Sequence, residues 1–216
     1  MSGKQAVIAV LAVTMSILCA SAAAQDEKNE LTGILGRIFI SDQGLVGTPP
    51  PNPFVRSGKG LTFEVNYSRH LWGGQIYSIS GEVPAVFNLD EDLNSGYNVV
   101  PIDYKQIFLT PSFRVNLFPE TAVSPWVSVG GGVGFFSENK NLIYGGPNPG
   151  GSSTTGVMQG GFGLDVNPFR QRFSHFGFRL DVRDFWSGEP KFPLADTGKT
   201  RQHNYFVGGG VVWHLK

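Results

Sequence analysis

Beyond Gln25 the chain alternates apolar and polar residues with a period of two. Leu61, Phe63, Val65 and Tyr67 interleave with Thr62, Glu64, Asn66 and Ser68, which sets the apolar residues on one face of a strand. The same alternation places Tyr77, Ile79, Val83, Ala85 and Phe87 opposite Ser78, Ser80, Glu82 and Asn88. It then places Ile107, Leu109, Phe113, Val115 and Leu117 opposite Thr110, Ser112, Arg114 and Asn116. Phe176, Phe178, Leu180 and Val182 oppose Arg179, Asp181 and Arg183, and Tyr205, Val207, Val211, Trp213 and Leu215 close the series. Three weaker segments fit: residues 31–40 exposing Ile34, Ile38 and Ile40, residues 126–136 exposing Val127, Val129, Val133 and Phe135, and residues 156–166 exposing Met158, Phe162, Leu164 and Val166. Eight strands result, an even number.

The first 24 residues do not follow this pattern. Lys4, the apolar stretch from Ala6 to Leu18 and the small residues Ala22, Ala23 and Ala24 are the parts of a removed signal peptide. The apolar stretch is shorter than the roughly 20 residues a membrane helix needs. Residues 25–30 are then a short periplasmic segment and 31–216 a single barrel domain. The only cysteine, Cys19, lies in the leader, so the exported chain is expected to have no disulfide.

Connection lengths give the expected orientation. The odd links, residues 41–60, 89–104, 137–155 and 187–203, are long and rich in Pro, Gly, Asn and Asp. The even links, around Trp72-Gly73-Gly74, around Pro119-Glu120-Thr121 and from Pro168 to Ser174, are short. Outer-membrane barrels have short periplasmic turns and longer external loops, so both termini are expected on the periplasmic side.

Alternation alone does not say which face is wet. A soluble secreted ligand-binding barrel buries its apolar face, whereas a membrane barrel turns it outward. The polar face favours the membrane, because Arg37, Arg114, Arg179 and Arg183 match Glu64, Glu82, Asp165 and Asp181 in number. Enclosed charges are tolerated when paired. Trp72, Tyr77, Trp126 and Trp213 fall near the short turns, and Tyr104, Trp186 and Tyr205 near the long loops, as two interfacial aromatic girdles require.

Composition narrows the function. With 17 basic and 17 acidic residues there is no bulk field for nucleic acid. Eight of the 29 glycines form runs inside predicted strands, at Gly130-Gly131-Gly132, Gly160-Gly161 and Gly208-Gly209-Gly210, where they mark bends or close approach. None has dinucleotide-binding spacing, and Gly198-Lys199-Thr200 lacks the first glycine of a phosphate loop.

With the signal peptide, the eight amphipathic strands and the closing Tyr205, Val207, Gly209, Val211, Trp213 and Leu215, the chain resembles the small outer-membrane β-barrel superfamily. That superfamily includes the transmembrane domain of outer-membrane protein A and the opacity-type surface proteins. The resemblance implies an all-β, eight-stranded, antiparallel up-and-down transmembrane barrel in the cell outer membrane. It also implies outer-membrane lipid, lipopolysaccharide and the barrel-assembly machinery as partners, with an extracellular ligand at the long loops. The last strand is similar to the signal that machinery reads, but ends His214-Leu215-Lys216 where the family usually has Phe or Trp.

Enzyme chemistry finds little support. The histidine-x-serine pair of outer-membrane lipid A deacylases is missing at His70, His175, His203 and His214. Ser174 and His175 are chain neighbours pointing to opposite faces. Glu64 and Glu82 are better placed as structural ion pairs than as an acid and base, and the histidines lack zinc spacing. Asp90, Glu91, Asp92 and Asp103 are expected as a solvated loop surface. The expectation is a non-enzymatic envelope protein without cofactor or metal, its lumen filled by charged side chains and its loops serving adhesion or envelope integrity. The alternatives are a small-solute porin and a lipid-modifying enzyme.

Overall fold

The computed structural model describes residues 29–47, 54–58, 60–167 and 175–215. The expected signal peptide, the Pro49-Pro50-Pro51 run and the turn from Pro168 to Ser174 lie outside the described residues. The strands are β1 (Asn29–Ile40), β2 (Gln43–Gly44), β3 (Phe54–Ser57), β4 (Leu61–Gly73), β5 (Tyr77–Ser95), β6 (Asp103–Leu109), β7 (Ser112–Leu117), β8 (Val123–Glu138), β9 (Ser152–Val166), β10 (Phe176–Gly188) and β11 (Arg201–Leu215).

They form one antiparallel barrel with eight staves, in which β6 and β7 together make a single stave. The break falls at Thr110-Pro111 because proline has no N–H to give the ladder. Backbone bonds stitch it: Thr110 N–H donates to the Pro84 carbonyl at 3.2 Å and Gly131 N–H to the Pro111 carbonyl at 3.1 Å. The ring closes between β1 and β11, from Asn29 opposite Leu215 to Ile40 opposite Asn204. That closure leaves no sheet edge among the staves, the condition for a backbone in hydrocarbon. The short hairpin β2–β3 pairs with the far end of β5 through Val55 and Ser95.

The apolar face points outward. Leu35, Leu61, Phe113, Val129, Phe162 and Phe178 are exposed, while Glu64, Glu82, Arg114, Arg179 and Arg183 are enclosed. The lumen has two layers. Toward the short turns it is charged. Toward the long loops it is apolar, formed by Ile34, Ile38, Val86, Phe108, Phe136, Phe185 and Phe206 and continued by Leu45, Val55, Leu93 and Val100 from the connections. Phe108 and Phe185 stack across it with centroids 4.8 Å apart.

The apolar layer corrects two expectations for β1. Ile34 and Ile38 face inward, each 2% exposed, and Leu31, Leu35 and Phe39 take the outer face. Arg37 is therefore exposed and outward, outside the lumen cluster. The phase was ambiguous because both faces of this strand carry large apolar side chains. Strands also outlast the alternation at the loop end: β5 continues to Ser95, past Leu89, and β11 begins at Arg201. Its signal fades there because outward positions such as Asp90, Asp92 and Asn94 no longer meet an apolar medium. At the opposite end Asn29 and Glu30 already belong to β1, extending the barrel beyond the Leu31 boundary.

Two glycines are dictated by close approach. A Cβ on Gly210 would run into the Gly33 carbonyl of β1, and one on Gly163 into the Leu180 carbonyl and the Trp126 ring. Since the outer half of the lumen is held by ring packing, Phe108→Ala is expected to cost about 3–5 kcal/mol. Urea unfolding of the barrel refolded in lipid vesicles measures it.

Candidate functional site

Inward positions of a period-two strand lie two residues apart, so β10 alone sends Arg179, Asp181 and Arg183 into the lumen. Arg183 is the hub. Its Nε lies 3.0 Å from Asp181 Oδ1, its Nη1 2.8 Å from Glu82 Oε1 and its Nη2 3.4 Å from Glu64 Oε1, with all four side chains buried. Arg179 forms a forked pair with Asp165, Nε to Oδ1 at 2.6 Å and Nη2 to Oδ2 at 2.8 Å. Arg114 donates from Nη2 to Glu30 Oε2 at 2.6 Å and lies 3.7 Å from Glu82. Ser112 and Asn66 donate to Glu82 at 2.9 and 3.0 Å, and Asn116 donates to Asp165 at 2.8 Å.

The structure thus brings together seven of the eight expected charges and leaves Arg37 outside. It adds Glu30, whose phase with Thr32 on the inner face was the available signal. Among the described residues the cluster then holds three guanidinium groups and five carboxylates. Glu64 is the least supported: neither of its oxygens accepts a hydrogen bond.

Two expected girdle residues are corrected. Trp126 is 1% exposed and lies inside, with the guanidinium carbons of Arg179 and Arg183 at 5.6 and 5.3 Å from its ring centroid. A negative aromatic face is a suitable neighbour for guanidinium groups in a dry site. Tyr104, 2% exposed, belongs to the apolar layer beside Phe136 and Phe192. Both residue types suit a girdle, but their strand phase turns them inward. The other five face outward. Trp72 packs on Tyr77 and Trp213 on Phe176 near the short turns, while Trp186 and Tyr205 flank His203 near the long loops.

At the short-turn end a cavity of about 110 Å³ is lined by Glu30, His70, Arg114, Asn116, Asp165 and His214, among others. His70 and His214 meet at this cavity, but no group of three metal-ligating residues occurs among the described residues. His214 Nδ1 lies 3.5 Å from Glu30, and His203 bonds Asp184 on the outer wall. Glu64 and Glu82 meet only in the shell of Arg183.

At the loop end Glu91 departs from the expected solvated surface. The β5 irregularity between Asn88 and Glu91 turns it inward and leaves Asp90 and Asp92 exposed. It accepts from Asn88 Nδ2 at 2.7 Å and from the Gly60 backbone, tying the end of the first long connection to β5. Burial pushes its carboxyl up to about 7; Asp92 and Asp90 add to the rise while the two hydrogen bonds oppose it.

An outward apolar wall, a paired polar interior and ring closure define the fold of an eight-stranded transmembrane β-barrel. The chain is similar in structure to Neisserial surface protein A, at 10% identity over 87% of this chain and 97% of that one, with a TM-score of 0.50. It is similar also to the outer membrane protein AlkL determined in DMPC bilayers, at 14% identity over 91% and 94% of the two chains, TM-score 0.50. No protein-family model and no curated protein matches the sequence.

Two outcomes follow from the unequal charge count and the buried acid. Arg183→Met strands Glu64 and Asp181, leaves Glu82 to Arg114, Ser112 and Asn66, and is expected to cost about 3–5 kcal/mol, whereas Glu64→Gln removes one of the two surplus charges and is expected to stay within about 1 kcal/mol of the parent. Urea titration of both variants in vesicles separates them. Glu91, raised in the folded state, binds its proton more tightly there than in the unfolded chain, so its contribution is full below about pH 4.5 and is lost as pH rises through about 7. Protection factors at the Gly60 backbone and Asn88 side-chain amides, with the intrinsic pH dependence of exchange divided out, are expected to rise on acidification, and Glu91→Gln is expected to largely remove that rise.

Proposed function

We propose that the chain is a non-conducting, non-enzymatic outer-membrane barrel of a Gram-negative-type envelope, acting through its long-loop end in adhesion or envelope integrity. The observation that carries this reading is the packing of the lumen beyond the short-turn cavity. The Arg183 cluster occupies one half, and the Phe108–Phe185 stack with its apolar neighbours occupies the other. An eight-stranded barrel has room for side chains and little more, which supports a barrel without solute passage.

The second support is investment in the loop end. There the β2–β3 hairpin, the extension of β5 and the buried Leu45, Leu93 and Val100 build an ordered cap on the barrel. Loops carried on a rigid scaffold are where recognition concentrates. With long connections outward, both termini face the periplasm, and lipid, lipopolysaccharide and the barrel-assembly machinery are the partners of the wall.

Planar-bilayer recording of the refolded monomer, together with fractionation and unboiled-gel mobility, tests the reading. Expected are outer-membrane partition, a heat-dependent mobility shift and no persistent conductance. Steady channels in the parent, or recovery in the soluble fraction, overturn it.

A further inference from the structure

The outer wall near the long loops carries a feature that a general aromatic girdle does not require. Arg201, His203 and Tyr205 are successive outward positions of β11, and Trp186 of β10 lies opposite His203 in register. The Arg201 guanidinium carbon sits 4.5 Å over the Trp186 ring. Trp186 stacks on His203 at 6.3 Å, and His203 on Tyr205 at 5.7 Å with only 7° between planes. Four planar groups therefore form one continuous ladder. His203 is fixed by its Nδ1 contact with Asp184 at 2.8 Å, which leaves Nε2 for a second partner. Arg201 rests on a ring and pairs with no carboxylate among the described residues, so its N–H edge is open to a ligand. Phe39 lies opposite Tyr205 and exposed Arg37 opposite Val207, extending the strip onto β1.

We propose that this ladder binds the headgroup of a phosphorylated glycolipid in the surrounding outer leaflet. The reading rests on the membrane placement proposed above. A guanidinium held flat presents a fork of donors that matches phosphate oxygens. Aromatic faces at the boundary between hydrocarbon and water offer platforms for the C–H faces of a sugar ring. Charge complementarity selects this occupant: the strip exposes two arginines, while its one carboxylate, Asp184, is engaged by His203. A purely apolar or neutral lipid would use the rings and leave both cations without a partner.

The test uses the full barrel refolded in neutral detergent and titrated with bisphosphorylated lipid A, with bound lipid counted by native mass spectrometry. Arg201→Gln is expected to weaken retention about tenfold, whereas Lys105→Gln, an exposed outward cation on β6, leaves it unchanged. Enzymatically dephosphorylated lipid A is expected to lose a similar factor on the parent barrel. Millimolar inorganic phosphate is expected not to displace the lipid. Trp186→Leu, which keeps the cation but removes its platform, is expected to fall between parent and Arg201→Gln. Equal retention by the Arg201 and Lys105 variants, undiminished binding of the dephosphorylated lipid, or displacement by free phosphate each overturns the proposal. Fractionation reports separately on membrane placement, so a barrel in the outer membrane that fails these titrations sinks this inference alone.

Discussion

An eight-stranded ring encloses a space only as wide as the side chains that fill it, and that constraint governs the molecule. Every inward residue must find its partner within one layer of neighbours, without bulk water to complete its shell. Arg183 shows the outcome: one planar cation joined to carboxylates from three strands, β4, β5 and β10, so that its charge is spread across the barrel. Such a cluster is poor evidence of net stabilisation compared with an apolar filling, but it allows few alternative arrangements. A strand shifted by one residue would send Arg179 or Glu82 into lipid and leave its partners stranded.

The change from charge to aromatic packing along the lumen follows the same constraint. Near the short turns, a polar cavity opens beside Glu30 and His214 at the edge of the inner cluster. Near the long loops the strands leave the membrane and the connections fold back over them. There Val86, Phe136 and Phe206 join Leu45 and Val100 in one apolar core. The outer cap is thus continuous with the barrel wall and its loops are seated on it.

Architecture was legible because lipid imposes one rule on every outward position. Leu61 to Tyr67 and Phe176 to Val182 obey it without exception. Where both faces are apolar the rule loses its contrast, and the phase of β1 was misread, exchanging Ile34 and Ile38 for Leu35 and Phe39 and carrying Arg37 inward. Trp126 and Tyr104 were misplaced for a related reason: residue type suggested the interface, whereas strand phase decided the side. Glu30 and Glu91 each lie just beyond the clear alternation, so the pattern gives Glu30 no lumen role and assigns Glu91 to a solvated loop. The ladder of Arg201, Trp186, His203 and Tyr205 depends on the offset between β10 and β11, which no single strand reveals.

The seclusion of Trp126 sets it apart from the other three tryptophans of the chain. Trp72, Trp186 and Trp213 face outward, whereas Trp126 is enclosed beside two guanidinium groups. Brominated acyl chains would therefore dim the emission of three indoles and spare the fourth. The barrel carries a built-in optical gauge of whether its wall has been assembled the right way round.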